Sequence, residues 1–589
     1  MRAEEQHRAS AVGSSAAEAE PAVAATPTAT SHADSVWVHL AIIVPLAMTI
    51  FLFRLGAADW RDTVDTHQGL IISHIMAGDG WVLPLRNGRH LPDKPPLFSW
   101  LGALSATLRG TSGDLLDARL PSAAAALADT ALVYAAARAM AGGPVGLWAA
   151  LIWITTPQVI ITGRDSRVDM VFCTCLTVAF LLAWRVWEGV GGRRTAALAG
   201  LWFGLAVLAK GPLALVLGIL VFGVAAVVVP PAAGWRLLLT PLPVLLSLGI
   251  PAAWYAAAAL QHGMAFVRLH LFAENVSRLI GGQDRSPVWY YVEPLFTMGL
   301  PWTLALPAAI AGTSALPSRQ RRFVTVWVSV MFIFFSLSLG KRRAYLLPLR
   351  PALAILLTGW LVPQLVRWRG RARATLPPAT VRRGIAGSLL AMLAAVVALR
   401  AGIRGWGMEP EQWSYWWRLW AREYPATIVG FALVVGLGID QTLRALWQHR
   451  MERAGYALVL TLGVGTAIAI STDAIVRGQA VSMQPLARQV AAAVAPTESL
   501  AFFATDDELA IPLQFHLRRH VAVVPAADPA SCTPPGPGAY LIQESLWEAR
   551  RCAADPAWQV IVRGGPEVRS HRDQRLVFAR YAASPHTVE

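Results

Sequence analysis

Apolar residues along the chain gather into uninterrupted runs, many close to 20 residues long, separated by short polar segments rich in Gly, Pro and Arg. A helix rising about 1.5 Å per residue crosses about 30 Å of hydrocarbon in such a run, so each run predicts a membrane span. The runs fall at 36–56, 118–140, 146–162, 169–189, 195–209, 211–230, 237–258, 293–314, 323–339, 345–366, 384–402, 424–441 and 454–473, giving 13 expected spans. Residues 95–109 (PPLFSWLGALSATLR) are apolar but only 15 long and open on Pro-Pro, so they are expected at the membrane surface. Residues 1–35, rich in Ala, Ser, Thr and Pro, read as a disordered tail.

Beyond residue 474 the period changes. Short apolar stretches at 499–505, 520–526, 538–544, 557–564 and 576–582, with an amphipathic segment at 508–519, predict a small α/β unit over 474–589. It would follow a transmembrane unit over 36–473.

Composition sharpens this picture. The 589 residues are 55% hydrophobic and 15% charged, against about 45–50% and about 25% for soluble domains. A stack of water-soluble domains is excluded. The formal charge of +15 does not point to nucleic acid, because the arginines sit in short loops between apolar runs, where they act as orientation signals. With the tail cytoplasmic and 95–109 not crossing, the arginines at 193–194, 319–322, 367–383 and 444–453 all fall on the cytoplasmic side. The same parity places loops 57–117, 163–168, 259–292 and 340–344, and the C-terminal unit, on the outer face. Cys532 and Cys552 can then pair in an oxidising compartment, whereas Cys173 and Cys175 read as packing residues within a span. No internal repeat is evident.

The outer loops hold the chemistry. All but three of the 51 basic side chains are arginine, and the three lysines, Lys94, Lys210 and Lys341, each abut Gly or Pro at the edge of an apolar run on the outer face. A compact ammonium is not interchangeable with a planar guanidinium. Near these lysines lie Asp65, the cluster GRDSRVD with Arg164 and Asp169, the loop holding Arg278, and the segment SLGKRRAY with Arg342 and Tyr345. Cations at membrane depth suit a lipid phosphate that gathers negative charge as its bond to carbon breaks. A carboxylate nearby can take a proton from an attacking hydroxyl or hold a divalent metal through oxygen. Asp59 and Asp62 read as solvated loop residues, and Trp289, Tyr290 and Tyr291 as an interfacial aromatic belt. His67, His74, His90 and His270 lack a metal-binding spacing.

In order along the chain, GDGWVLP (78–84), DKPPLFSWLGA (93–103), ARLPS (118–122), RDSRVDM (164–170), LAKGPLA (208–214), ENVSRL (274–279), SPVWYYVEPLFTMGLPW (286–302) and FFSLSLGKRRAYLLPLRPA (334–352) resemble the motifs of a family of membrane enzymes. These are the lipid-linked sugar transferases that include the aminoarabinose transferase acting on lipid A and the protein O-mannosyltransferases. The chain departs from that pattern where Thr66 follows Asp65, at Asp93, where a Glu is usual, and at Asn275, where a His is common.

The resemblance implies a polytopic α-helical enzyme with an outer-leaflet cavity that admits a polyprenyl-phosphate sugar from the bilayer. The acceptor, lipid A or another envelope glycan or a protein, would enter from outside. It implies that Lys94, Arg278, Lys341 and Tyr345 contact the donor phosphate or its neighbours, that Asp65 and Asp169 form the acidic centre, and that Lys210 lines the same cavity. Arg164 and Arg342 join the expected substrate-binding set, and Asp65 and Asp169 are the candidates for holding a divalent metal. The competing expectation is a flippase for a lipid-linked saccharide, which would grip the same head group without breaking a bond.

Overall fold

The computed structural model describes residues 35–371 apart from 58, 60–62, 87–88, 91–93 and 272–285, and residues 422–582 apart from 423, 449, 496, 504–506, 520, 526–530 and 566–574. The tail expectation for 1–35, apart from Ser35, and the expected span 384–402 lie outside the described residues. Every other expected run falls on helix. In chain order these are α1 (Val36–Leu52), α2 (Thr63–Met76), α3 (Leu97–Arg109), α4 (Leu115–Ala141), α5 (Gly143–Ile154), α6 (Pro157–Gly163), α7 (Val168–Trp187), α8 (Arg193–Lys210), α9 (Leu213–Val228) and α10 (Pro241–His262). There follow α11 (Val292–Thr297), α12 (Leu306–Ala311), α13 (Ser318–Leu337), α14 (Arg350–Arg371), α15 (Pro425–Trp447) and α16 (Met451–Val481). Among the described residues seven helices are long and apolar enough to cross a membrane, or nine if each of two bent pairs is one span.

The bent pairs were not legible in the hydropathy. The run 146–162 is broken between α5 and α6, which meet at 64°, with Pro157 opening the second piece. The run 293–314 is broken by 112° between Val288–Thr297 and Trp302–Ala311. Carbonyls freed at such breaks need donors, because hydrocarbon supplies none. Trp302 Nε1 donates to Thr155 Oγ1 at 2.9 Å, tying one break to the other.

Within the bundle, contact depends on small residues and rings, as expected where lipid removes the hydrophobic drive between helices. Gly200 and Gly204 let α8 lie directly on α10: a Cβ at either would meet the Pro243 or Leu246 carbonyl oxygen at 2.2 and 2.5 Å. Trp184 stacks on Phe323 at 4.0 Å between ring centroids, joining α7 to α13.

The expected surface segment forms α3, 13 residues long and closed by Gly110 at φ 66°. Its terminal Arg109 bridges Asp114 and Asp117, which cap α4 reciprocally.

Helix α16 does not stop at 473 but continues to Val481. It leads into α17 (Gln484–Ala493), β1 (Leu500–Phe503), α18 (Asp507–Leu517), β2 (Ala522–Val524), β3 (Gly538–Gln543), α19 (Glu544–Ala549), β4 (Trp558–Gly564) and β5 (Leu576–Tyr581). The sheet order is β2-β1-β3-β5-β4, with β2, β1 and β3 parallel and β5 and β4 antiparallel additions. Cys532 and Cys552 form a disulfide. The unit rests on α2, α3 and α4: Phe515 packs with Ile72, Ala106 and Ala118, and Arg518 donates to the Gly113 carbonyl at 3.1 Å.

Candidate functional site

Four separate chain segments bring charged side chains to one place. Lys94 stands before the Pro-Pro step that opens α3. Asp169 lies in the first turn of α7, where the helix N-terminus favours a carboxylate. Lys210 is the last residue of α8, because Gly211 at φ 91° ends that helix. Lys341 lies in the non-helical stretch between α13 and the 3₁₀ turn Arg343–Leu349. Although up to 247 residues apart, all four line one cavity of ≈ 720 Å³, along with Arg167, Arg342, Arg343 and Tyr345.

The charges are partly paired. Lys210 Nζ donates to Asp169 Oδ1 at 2.5 Å, with the two side chains only 10% and 13% exposed. The same ammonium lies 4.8 Å from the Tyr345 ring centroid and 5.3 Å from that of Phe172, within cation–π range. Lys341 is 4% exposed and donates to the Ser338 carbonyl. Burial pushes its ammonium below the usual lysine range. Asp169 is the one carboxylate lining the cavity among the described residues, so the lining is strongly cationic.

Part of the lining is apolar, formed by Leu213, Val216, Phe334 and Phe335. Val216 is also exposed, and a strip of exposed apolar side chains continues from it along α9 through Ile219 and Val227. An anionic head group held by the cations would therefore have an uncharged track beside it for a hydrocarbon tail.

Several expectations are revised. Arg164 does not line the cavity: it is buried and donates to the carbonyls of Ile50 and Phe53, each at 2.7 Å, and to Ser471 Oγ. Those carbonyls end α1 and lack intrahelical donors, so Arg164 is a helix cap. Asp59 is not a solvated loop residue, since Ser482 Oγ donates to it and His516 Nε2 lies 3.6 Å away. Of the expected belt, Trp289 is 72% exposed, whereas Tyr291 is fully buried and Tyr290 lines the cavity. Asp62 and Arg278 lie outside the described residues. Asp65 sits in the first turn of α2, its side chain outside the description.

No group of three or more His, Cys, Asp or Glu among the described residues could hold a metal ion, and Asp169 already faces an ammonium. Reasoning from sequence also passed over Gln158 and Arg350, both buried behind the cavity. Their only signal was polarity inside apolar runs.

A helical membrane protein with a cationic hollow beside an apolar track is of the class that handles an anionic lipid head group. Residues 93–257 match the family model described as dolichyl-phosphate-mannose-protein mannosyltransferase. The undecaprenyl phosphate-alpha-4-amino-4-deoxy-L-arabinose arabinosyl transferase of Edwardsiella ictaluri is 26% identical over 74% of this chain and 83% of its own length. Its counterpart in Proteus mirabilis is 25% identical over 73% and 76%. The crystal structure of ArnT from Cupriavidus metallidurans bound to undecaprenyl phosphate shares the fold, with a TM-score of 0.74 and 20% identity over 93% of this chain and 99% of that one. The chain is thus similar in sequence to lipid-linked sugar glycosyltransferases and shares the fold of one of them.

Proposed function

We propose that this chain moves a sugar, of the aminoarabinose type, from undecaprenyl phosphate to lipid A at the periplasmic face of the inner membrane. The observation that carries the reading is the meeting of all three lysines with Asp169 in one hollow whose lining is partly apolar. The positive-inside pattern supports 13 spans, with the cavity and C-terminal unit outside.

In the reaction an acceptor oxygen bonds to the anomeric carbon while the bond from that carbon to the phosphate oxygen breaks, its electron pair leaving with the phosphate. Lys94, Lys341 and Arg342 supply fixed positive charge where that negative charge accumulates. Where the acceptor is a hydroxyl, Asp65 is the first candidate to take its proton and Asp169 the second. Attack opposite the leaving group inverts the anomeric centre. Asp169 also holds Lys210 against Tyr345, fixing the direction of the ammonium.

Asp169 and Lys210 are expected to act as a unit. Asp169→Asn and Lys210→Met should each lower kcat/KM for the donor by about tenfold to a hundredfold. The double variant should fall by little more than the worse single, whereas strictly additive losses would show the two side chains working independently.

Two broken spans would also suit a flippase. Both breaks, however, are pinned by hydrogen bonds from Trp302 and Arg350. The two readings separate in detergent, where there is no compartment to transport into. Purified chain with undecaprenyl-phosphate aminoarabinose and lipid A should yield modified lipid A by mass spectrometry, and no product would remove the transferase reading. Wild-type turnover in Asp65→Asn would remove that residue's role.

A further inference from the structure

The segment that carries Lys341, Arg342 and Tyr345 into the cavity has little secondary structure of its own. Helix α13 ends at Leu337, its last bond running from the Ser338 N–H to the Phe334 carbonyl, and the residues from Ser338 to Arg342 lie outside any helix. At membrane depth an irregular backbone persists only where protein groups replace the missing bonds. Backbone donors supply some of them, the Ser286 N–H to the Leu339 carbonyl and the Tyr345 N–H to that of Arg342, and two buried side chains add others. The Tyr291 hydroxyl both donates to the Arg342 carbonyl and accepts from the Arg342 N–H, each at 3.2 Å. Gln158 Nε2 donates to the next carbonyl, that of Arg343, at 2.8 Å.

The orientation of the Gln158 amide is itself fixed. Arg350 has donors only, and its Nε reaches Gln158 Oε1 at 2.7 Å, so the amide nitrogen must face Arg343. Arg350 is anchored in turn on the carbonyls of Pro294 and Leu295, and the Gln158 N–H on that of Met298. The broken span therefore serves as a scaffold for two successive peptide units at the cavity wall.

We propose that Tyr291 and Gln158 are positioning residues for the donor phosphate: they touch no substrate, but set the backbone from which Lys341 and Arg342 reach it. The inference rests on the transferase reading above and deepens it. Gln158→Glu separates positioning from general packing. It keeps an oxygen on Arg350, with a charge-assisted bond, but turns a second oxygen rather than a donor toward the Arg343 carbonyl. Tyr291→Phe removes only the hydroxyl.

The test measures donor KM, acceptor KM, kcat and melting temperature in detergent for both variants and for Lys341→Met. In Tyr291→Phe and Gln158→Glu the donor KM should rise about tenfold, the scale of one buried hydrogen bond. Acceptor KM should stay within about twofold, and the melting temperature of Gln158→Glu should match or exceed that of the wild type. Donor KM unchanged in both variants, or donor and acceptor KM rising together with a lowered melting temperature, would overturn the proposal. Should Lys341→Met also leave the donor parameters untouched, the transferase site itself fails; a defect in Lys341→Met alone sinks only the positioning role.

Discussion

Replacing Lys341 with methionine is expected to lower transfer by about a hundredfold or more, the scale of losing one preorganised group that faces developing charge. The side chain is 4% exposed, and its ammonium is held in place by the Ser338 carbonyl. In the proposed reaction it would meet the leaving phosphate with little reorganisation and little competition from water. Methionine preserves the length and apolar stem, so the protein should remain folded. Lys341→Arg should not restore full activity, since a planar fork needs a wider space than a compact ammonium. The pH profile supplies a second check. Burial lowers the Lys341 pKa, and the protonated form is the active one. The donor kcat/KM should therefore fall as pH rises through a value below the usual lysine range, and Lys341→Arg should move that fall to higher pH. Unchanged turnover in Lys341→Met would remove Lys341 from the reaction.

The largest loss of stability is expected at Arg350. Its guanidinium donates to Gln158 Oε1, Leu295 O and Pro294 O, and Arg350→Leu takes these bonds from a buried site, leaving the Pro294 carbonyl only the Met298 N–H. The cost should be about 3 kcal/mol or more, seen as a lowered melting temperature and aggregation on size-exclusion chromatography. An independent route leads to the same place. A Cβ at Gly299 would lie 2.4 Å from Arg350 Nη1 and 2.8 Å from the Leu295 carbonyl, so Gly299→Ala should also destabilise, by about 1–3 kcal/mol. If both variants melt with the wild type, Arg350 is not the keystone of the broken span.

The largely helical, membrane-length character of the chain and the gathering of the lysines were legible because each depends on local signals: run length for a helix, and a Gly or Pro that ends it beside a charged residue. Lys210 followed by Gly211 is such a case, since the glycine's positive φ closes α8 and leaves the ammonium at the helix end. What the sequence hid depends on contacts between distant positions. Gln158 and Arg350 are separated by 192 residues, and nothing near either one announces the other. Arg164 was read as a phosphate ligand because it belongs to a charged loop, but a guanidinium satisfies carbonyls as readily as phosphates. The end of α1, far away in sequence, decided between them. Tyr291 sits beside an exposed tryptophan in a motif that reads as an interfacial belt, yet it is buried against Phe335 with its hydroxyl on the Arg342 backbone.

The rarity of lysine gives the cavity one more property. The chain carries three primary side-chain amines, and each of them faces the same hollow. An amine-selective acylating reagent therefore has, besides the α-amino terminus, no address on this molecule other than that site. The extent of labelling, read by intact mass, becomes a direct gauge of occupancy: a bound lipid phosphate should shield all three positions together, without any engineered reporter.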